Sequence, residues 1–223
     1  MKHFVFFHVG EDISIPRKMV ASLKSVMPDA HVTMCTDDST PKVPGVDERK
    51  ITKGNKNQLM YWRTRAFFAA KMTVPAMYID TDMIFKLPVD PEMILGDREI
   101  MLCRRSFDLG LEFNGNQFEG AFKKYQGIPL GDLYPYLGCA VIAKDWHQWK
   151  CISILMGLLD ANLMSWYGDQ EALKIYSHML LEESLGEINE NEFACLPGRE
   201  VAGVTPRIFH YKGPLRKEAF LNA

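Results

Sequence analysis

Pro75-Ala76-Met77-Tyr78-Ile79-Asp80-Thr81-Asp82 is the stretch on which the reading of the whole chain turns. A short uncharged run entered through proline and left through acid is too brief for a helix and reads as a buried strand. It runs straight into Asp80-Thr81-Asp82. Residues i and i+2 of an extended chain point to the same side, so these two carboxylates can share one divalent cation. Two aspartates at that spacing are also common by chance, with a plain turn or a helix cap as the plainer alternative, so the surroundings must decide, and they favour the metal.

Toward the amino terminus the surroundings alternate. Residues 4–9 are aromatic and β-branched and give way to Gly10-Glu11-Asp12, as at the end of a buried strand. A helix is expected over 16–27, opened by Pro16 and carrying Met19, Leu23 and Val26 at helical spacing. A second strand over 31–35 ends in the polar cluster 36–41, and a loop follows. A second helix over 56–72 repeats Leu59, Trp62, Ala66, Phe67 and Ala70, with Arg63, Arg65 and Lys71 on its other faces. This order predicts an α/β fold: a mainly parallel central sheet, right-handed crossovers and helices on both faces. Such sheets bind ligands at the carboxyl ends of their strands, where Asp80 and Asp82 lie.

Toward the carboxyl terminus a strand over 100–103 precedes a glycine-rich stretch, 104–136, with no clear period. A loop that long is functional or mobile. A core strand over 136–143 leads to Asp145, a cap for a helix with Trp149, Ile152, Met156 and Leu159 on one stripe. A further helix begins near Asp169 with Leu173, Tyr176 and Leu180 inward. The glutamates of 182–192 read as solvated surface.

Composition narrows the function. In 223 residues, 26 basic and 28 acidic side chains leave a net charge of -2, so no global field favours nucleic acid or an anionic membrane. At 47% hydrophobic and 24% charged, the chain is expected to fold as one globular domain over 1–223. No apolar run approaches the ~18 residues of a membrane span. The five cysteines are scattered without a C-x-x-C pair, which speaks against a metal knuckle or disulfide framework and for a cytoplasmic setting.

Two more groups could carry chemistry. In Phe209-His210-Tyr211-Lys212-Gly213-Pro214-Leu215-Arg216-Lys217, histidine offers a borderline nitrogen ligand, glycine lets backbone approach a phosphate, and Arg216 or Lys217 can neutralise one. A histidine that is merely packed is the plainer alternative. Gly168-Asp169-Gln170 opens a helix, where Asp169 is either a simple N-cap or part of a sugar-binding site.

Taken in order, Tyr78-Ile79-Asp80-Thr81-Asp82-Met83-Ile84, Leu137-Gly138-Cys139-Ala140-Val141, Gly168-Asp169-Gln170 and His210-Tyr211-x-Gly213-x-x-Arg216 resemble the GT-A nucleotide-sugar glycosyltransferases. The likeness is strongest to the retaining, glycogenin-like glycosyltransferase family 8. Its D-x-D, F-N-S-G-V, N/G-D-Q and H-F-x-G-x-x-K-P-W segments follow one another in the same sequence along most of the domain. The resemblance implies that Asp80, Asp82 and His210 hold Mn²⁺ or Mg²⁺, and that 1–85 forms the nucleotide-binding β-α-β part. It places Gly213 and Arg216 against the donor diphosphate, with Lys217 beside them, and Gly138, Cys139, Asp169 and Gln170 near the donor sugar. Asp169 and Gln170 take the catalytic positions. Phe7, Val9, Thr36 and Asp37 fall where the family holds base and ribose, and Arg63 matches a basic residue that helps bind donor, although a solvated helix face also explains it. Here Tyr136 and Leu137 stand in place of the family's asparagine and serine, and the terminal P-W is missing.

The implied activity is metal-dependent transfer of a sugar from a nucleoside-diphosphate donor, a UDP-sugar, to a hydroxyl acceptor with retention. A glycan, a lipid-linked sugar, a protein or a modified nucleic-acid base are candidate acceptors, with 104–136 as acceptor or lid loop. Arg104, Arg105, Lys123 and Lys124 there either line a groove for a phosphorylated acceptor or simply solvate the loop. The rivals are a sugar nucleotidyltransferase, whose glycine-rich, lysine-bearing loop is missing from 7–12, and a non-catalytic nucleotide-sugar or carbohydrate-binding module.

Overall fold

The computed structural model of the protein describes residues 1–114, 124–213 and 219–221. Its strands are β1 (His3–Phe7), β2 (His31–Thr36), β3 (Glu48–Ile51), β4 (Ala76–Ile79), β5 (Met83–Phe85), β6 (Ile100–Arg104), β7 (Tyr136–Ala143), β8 (Leu185–Asn189) and β9 (Ile208–His210). Seven of them form one sheet in the order β3-β2-β1-β4-β7-β6-β8, and β5 pairs with β9 in a separate two-stranded ladder. Only β7 runs against its neighbours, antiparallel to β4 and β6, while the other four pairings are parallel. The mainly parallel sheet read from the sequence is thus present.

The helices are α1 (Ser14–Val26), α2 (Leu59–Ala69), α3 (Pro91–Leu95), α4 (Leu130–Leu133), α5 (Trp146–Leu158), α6 (Gly168–Met179) and α7 (Glu190–Phe193). Successive strand residues face opposite ways, so the apolar runs feed two cores. Phe4, Phe6, Met34, Met77 and Ile79 pack with Met19, Val20 and Leu23 of α1 on one face. Val5, Cys35 and Tyr78 pack on the other with Trp62 and Phe67 of α2, Trp149 and Ile152 of α5, and Leu173 of α6. Each large side chain buried this way contributes about 2 kcal/mol. α5 begins as its sequence indicates: Asp145 accepts from the His147 amide and Gln148 reaches back in a capping box.

Several expectations are corrected. The long helix over 56–72 is a 3₁₀ turn at Lys56–Gln58 followed by α2, which ends before Lys71 turns left-handed at φ 53°. The loop expected after β2 contains β3, a polar edge strand, and β5 has only three residues, too few to show a period. The glutamate-rich 182–192 is not merely solvated surface. Gly186 and Ile188 point inward, so β8 closes the sheet beside β6, and Glu190 is 3% exposed. One of its carboxylate oxygens accepts from the amides of Ser106 (2.6 Å) and Phe107 (2.9 Å). In the 104–136 stretch, Phe113, Leu133 and Tyr134 form a satellite core with Leu163.

Glu190 therefore satisfies two backbone donors that no water reaches easily. Glu190→Ala should lower unfolding free energy by about 2–3 kcal/mol, with a smaller loss for Glu190→Gln; urea titration of the three proteins measures both.

Candidate functional site

The carboxyl ends of β1 and β4, the start of α6 and the end of β9 surround a cleft of about 760 Å³. β4 delivers Asp80 to its rim, and Asp82 follows at the turn into β5. β5 pairs antiparallel with β9 in a register that sets Met83 opposite His210, and the Tyr211 amide donates to the Asp82 carbonyl at 2.8 Å. This short ladder carries a histidine from the far end of the chain to the two aspartates. His210 Nε2 lies 3.2 Å from Asp82 Oδ1 and 3.9 Å from Asp80 Oδ2. One ligand atom from each of the three residues falls within 4.8 Å of the others. Two hard carboxylates and one imidazole suit an octahedral divalent ion that keeps open positions.

Burial alone would lower the His210 pKa, yet its neighbours hold it well above the usual histidine value. Cys139 beside it stays a neutral thiol, because its hydrogen bond with Cys103 and its burial raise its own pKa well above normal. The negative charges facing the ring are therefore those of Asp82 and, farther off, Asp80. Burial also pushes the Asp80 carboxyl up; Arg63 pulls it down and Asp82 pushes it up again, with a net rise. The cluster is thus an acidic pair whose repulsion is relieved by positive charge, here an imidazolium.

Arg63 is not on a solvated helix face. It is 8% exposed, one Nη donates to Asp80, the other to Asp169, and that second nitrogen also reaches the Gly138 carbonyl at 3.3 Å. Asp169 is not an N-cap either. Tyr167, left-handed at φ 61°, precedes the helix, and Asp169 sits in the first turn with its carboxylate on Arg63. A Cβ at position 138 would stand 2.0 Å from that carboxylate, so only glycine lets α6 close against β7.

Phe7, Val9, Cys139, Gln170 and Gly213 also line the cleft, with Arg63, Gly138, Asp169 and the three candidate ligands. Thr36 and Asp37 do not line it. Thr36 is fully buried, and Asp37 accepts from the Thr40 amide and hydroxyl at 2.8 and 2.6 Å. The same hydroxyl accepts from the Gly10 amide at 2.8 Å, so Asp37 braces the loop after β1. Arg216, Lys217 and Lys123 lie outside the described residues. Arg104 faces Glu187 at 3.4 Å and Arg105 is 4% exposed, so these two arginines neither line a basic groove nor both solvate a loop. The sequence reading missed His8, Leu59, Met60, Trp166, Tyr167 and Lys212 on the cleft wall. Trp166 and Tyr167 directly precede Gly168-Asp169-Gln170, which was the available signal.

The raised His210 pKa has a measurable sign. In metal-free protein the imidazolium stabilises the fold fully below about pH 6.5, its unfolded value, and that contribution is lost as pH rises through the higher folded value. Melting curves in chelator should show the wild type losing its advantage over His210→Asn across that range. A constant difference between the two proteins would contradict the charged imidazole.

No protein-family model matches the sequence, and no curated protein matches it. Among solved structures the chain is similar to the galactosyltransferase LgtC in complex with donor and acceptor sugar analogs. The identity is 14%, with 95% of this chain and 87% of that one covered and a TM-score of 0.54. An active-site mutant of LgtC gives 14% identity, 95% and 88% coverage, and a TM-score of 0.54. At that identity the likeness speaks for architecture alone, and the chain has the GT-A fold of those glycosyltransferases.

Proposed function

We propose that this protein is a metal-dependent glycosyltransferase that moves a sugar from a nucleoside-diphosphate donor, a UDP-sugar, to a hydroxyl acceptor with retention. The observation that carries this reading is the convergence of Asp80, Asp82 and His210 at the rim of a cleft walled by Arg63, Asp169 and Gln170. LgtC, of the same fold, is described with donor and acceptor sugar analogs, which supports a sugar-nucleotide donor and a sugar acceptor here.

Asp80, Asp82 and His210 would hold Mn²⁺ or Mg²⁺. A divalent ion there would neutralise the charge that develops on a departing nucleoside diphosphate. Gly213 has φ 91°, and among the described residues nothing stands where a Cβ would project, so its backbone can approach a phosphate closely. Arg216 and Lys217 follow within four residues and would add positive charge to the same leaving group. Gly138, Cys139, Asp169 and Gln170 would border the sugar, and Phe7 and Val9 the base.

The state of the carboxylates supports the retaining reading. Asp80 and Asp169 are bound by Arg63, and Asp82 by His210, so each acid of the cleft wall is already engaged. That arrangement suits same-face attack by the acceptor better than a covalent glycosyl-enzyme. No helix among the described residues is long and apolar enough to cross a membrane, and the five cysteines are free, four of them buried, as a cytoplasmic enzyme would have them.

Calorimetric titration with a panel of sugar nucleotides, with and without Mn²⁺, followed by a donor-hydrolysis and transfer assay, tests the reading. Asp82→Ala should lower metal-dependent turnover by on the order of 10²–10³-fold while circular dichroism is unchanged. Metal-dependent binding without any turnover would instead mark a binding module, and full activity in Asp82→Ala would refute the metal assignment.

A further inference from the structure

Two buried arginines serve the cleft from opposite surroundings, Arg63 on its wall and Arg105 behind Gln170. Arg63 meets two carboxylates. Arg105, just beyond β6, is 4% exposed and, among the described residues, makes no ion pair at all. Its amide donates to the Pro135 carbonyl at 2.8 Å and its Nε to the Tyr134 carbonyl at 2.8 Å, which fixes the plane of the guanidinium. The remaining contact is Nη2 to Gln170 Oε1, at 2.7 Å.

This contact determines which end of the amide the cleft meets. A guanidinium has only donors, so the atom of Gln170 that faces it must be the carbonyl oxygen. The orientation of the side chain is therefore forced by chemistry, and the NH₂ group is the end left for the cleft that Gln170 lines. We propose that Arg105 is a positioning residue that presents the amide nitrogen of Gln170, a hydrogen-bond donor, to the bound substrate.

The inference rests on the cleft being the sugar-transfer site and goes further in assigning a polarity to residue 170. What Gln170 meets must be an electron-rich oxygen: a sugar hydroxyl, a ring oxygen or the departing phosphate oxygen. Its own oxygen is withheld from attack on the sugar, because freeing it would strand a buried cation. Glutamate at 170 would pair with Arg105 and offer the substrate acceptors only.

Two variants approach the contact from opposite sides, with Arg104→Met, an exposed neighbour, as control. Gln170→Glu supplies the missing counter-charge, so its melting temperature should rise by about 2–4 °C, while kcat falls on the order of 10²-fold with the donor KM nearly unchanged. Arg105→Met should lower kcat by roughly tenfold or more and leave UDP–Mn²⁺ binding by calorimetry as in wild type; should it fail to fold, Gln170→Glu decides alone. A merely structural contact would not raise stability and abolish turnover in one variant. Gln170→Glu that melts lower or keeps its kcat, or folded Arg105→Met that turns over like Arg104→Met, overturns the proposal. Wild-type protein that binds no sugar nucleotide removes the glycosyltransferase reading and this proposal together, whereas binding and turnover with an active Gln170→Glu remove only the proposal.

Discussion

One buried guanidinium holds the working end of this molecule together. Arg63 comes from α2, Asp80 from the end of β4 and Asp169 from the first turn of α6, and the one side chain ties all three elements through charge. Removing one partner of such a buried pair leaves the others uncompensated, at a cost of about 3–5 kcal/mol. Its value lies as much in placement as in stability. With Arg63 fixed, one oxygen of Asp80 is committed inward and the other is turned toward Asp82 and His210. The absent Cβ of Gly138 belongs to the same constraint, since any side chain there would displace the Asp169 carboxylate.

The geometry of the Asp80–Asp82–His210 cluster depends on a second device, the β5–β9 ladder. Three pairs of residues set His210 beside Asp82 across 128 positions of chain, so the precision comes from backbone register and not from the length of the loop that closes it. The imidazolium lies where the repulsion of two carboxylates needs a positive charge. A cation arriving there would exchange for a proton, so folding alone preorganises the donor set and binding need not assemble it.

The buried strands were legible because residues that face apolar cores on both sides give continuous apolar runs: β1, β2, β4 and β7 all stand where the pattern put them. β3 and β8 were not, because an edge strand with a wet face carries the charges of a loop, and Glu190 is indistinguishable in sequence from its exposed neighbours. The D-x-D pair, His210 and Gly168-Asp169-Gln170 could be singled out by residue type and order. The burial of Arg63 could not, since the partners that draw it inward stand 17 and 106 positions away. The sequence leaves Asp169 open between a cap and a sugar-site residue, because its spacing to the apolar stripe allows either. The left-handed backbone of Tyr167, a residue with no special claim to that conformation, starts the helix at Gly168, two positions before a cap at Asp169 would.

Arg63 and Arg105 together give the cleft an internal polarity. They grip consecutive residues of α6, Asp169 through its carboxylate and Gln170 through its carbonyl oxygen, so the first turn of the helix is pinned from two sides before any ligand arrives. The charges differ in kind. On the Asp80–Asp82 side the local balance is negative and favours a cation. On the Gln170 side Arg105 has no ion-pair partner among the described residues, and the amino end of a twelve-residue helix adds its partial positive charge. A donor whose diphosphate lies toward the first and whose sugar lies toward the second would meet a field that is fixed by packing. Such a field costs nothing to reorganise when charge separates. That polarity comes from a difference in company between two arginines, which no count of charges along the chain would reveal.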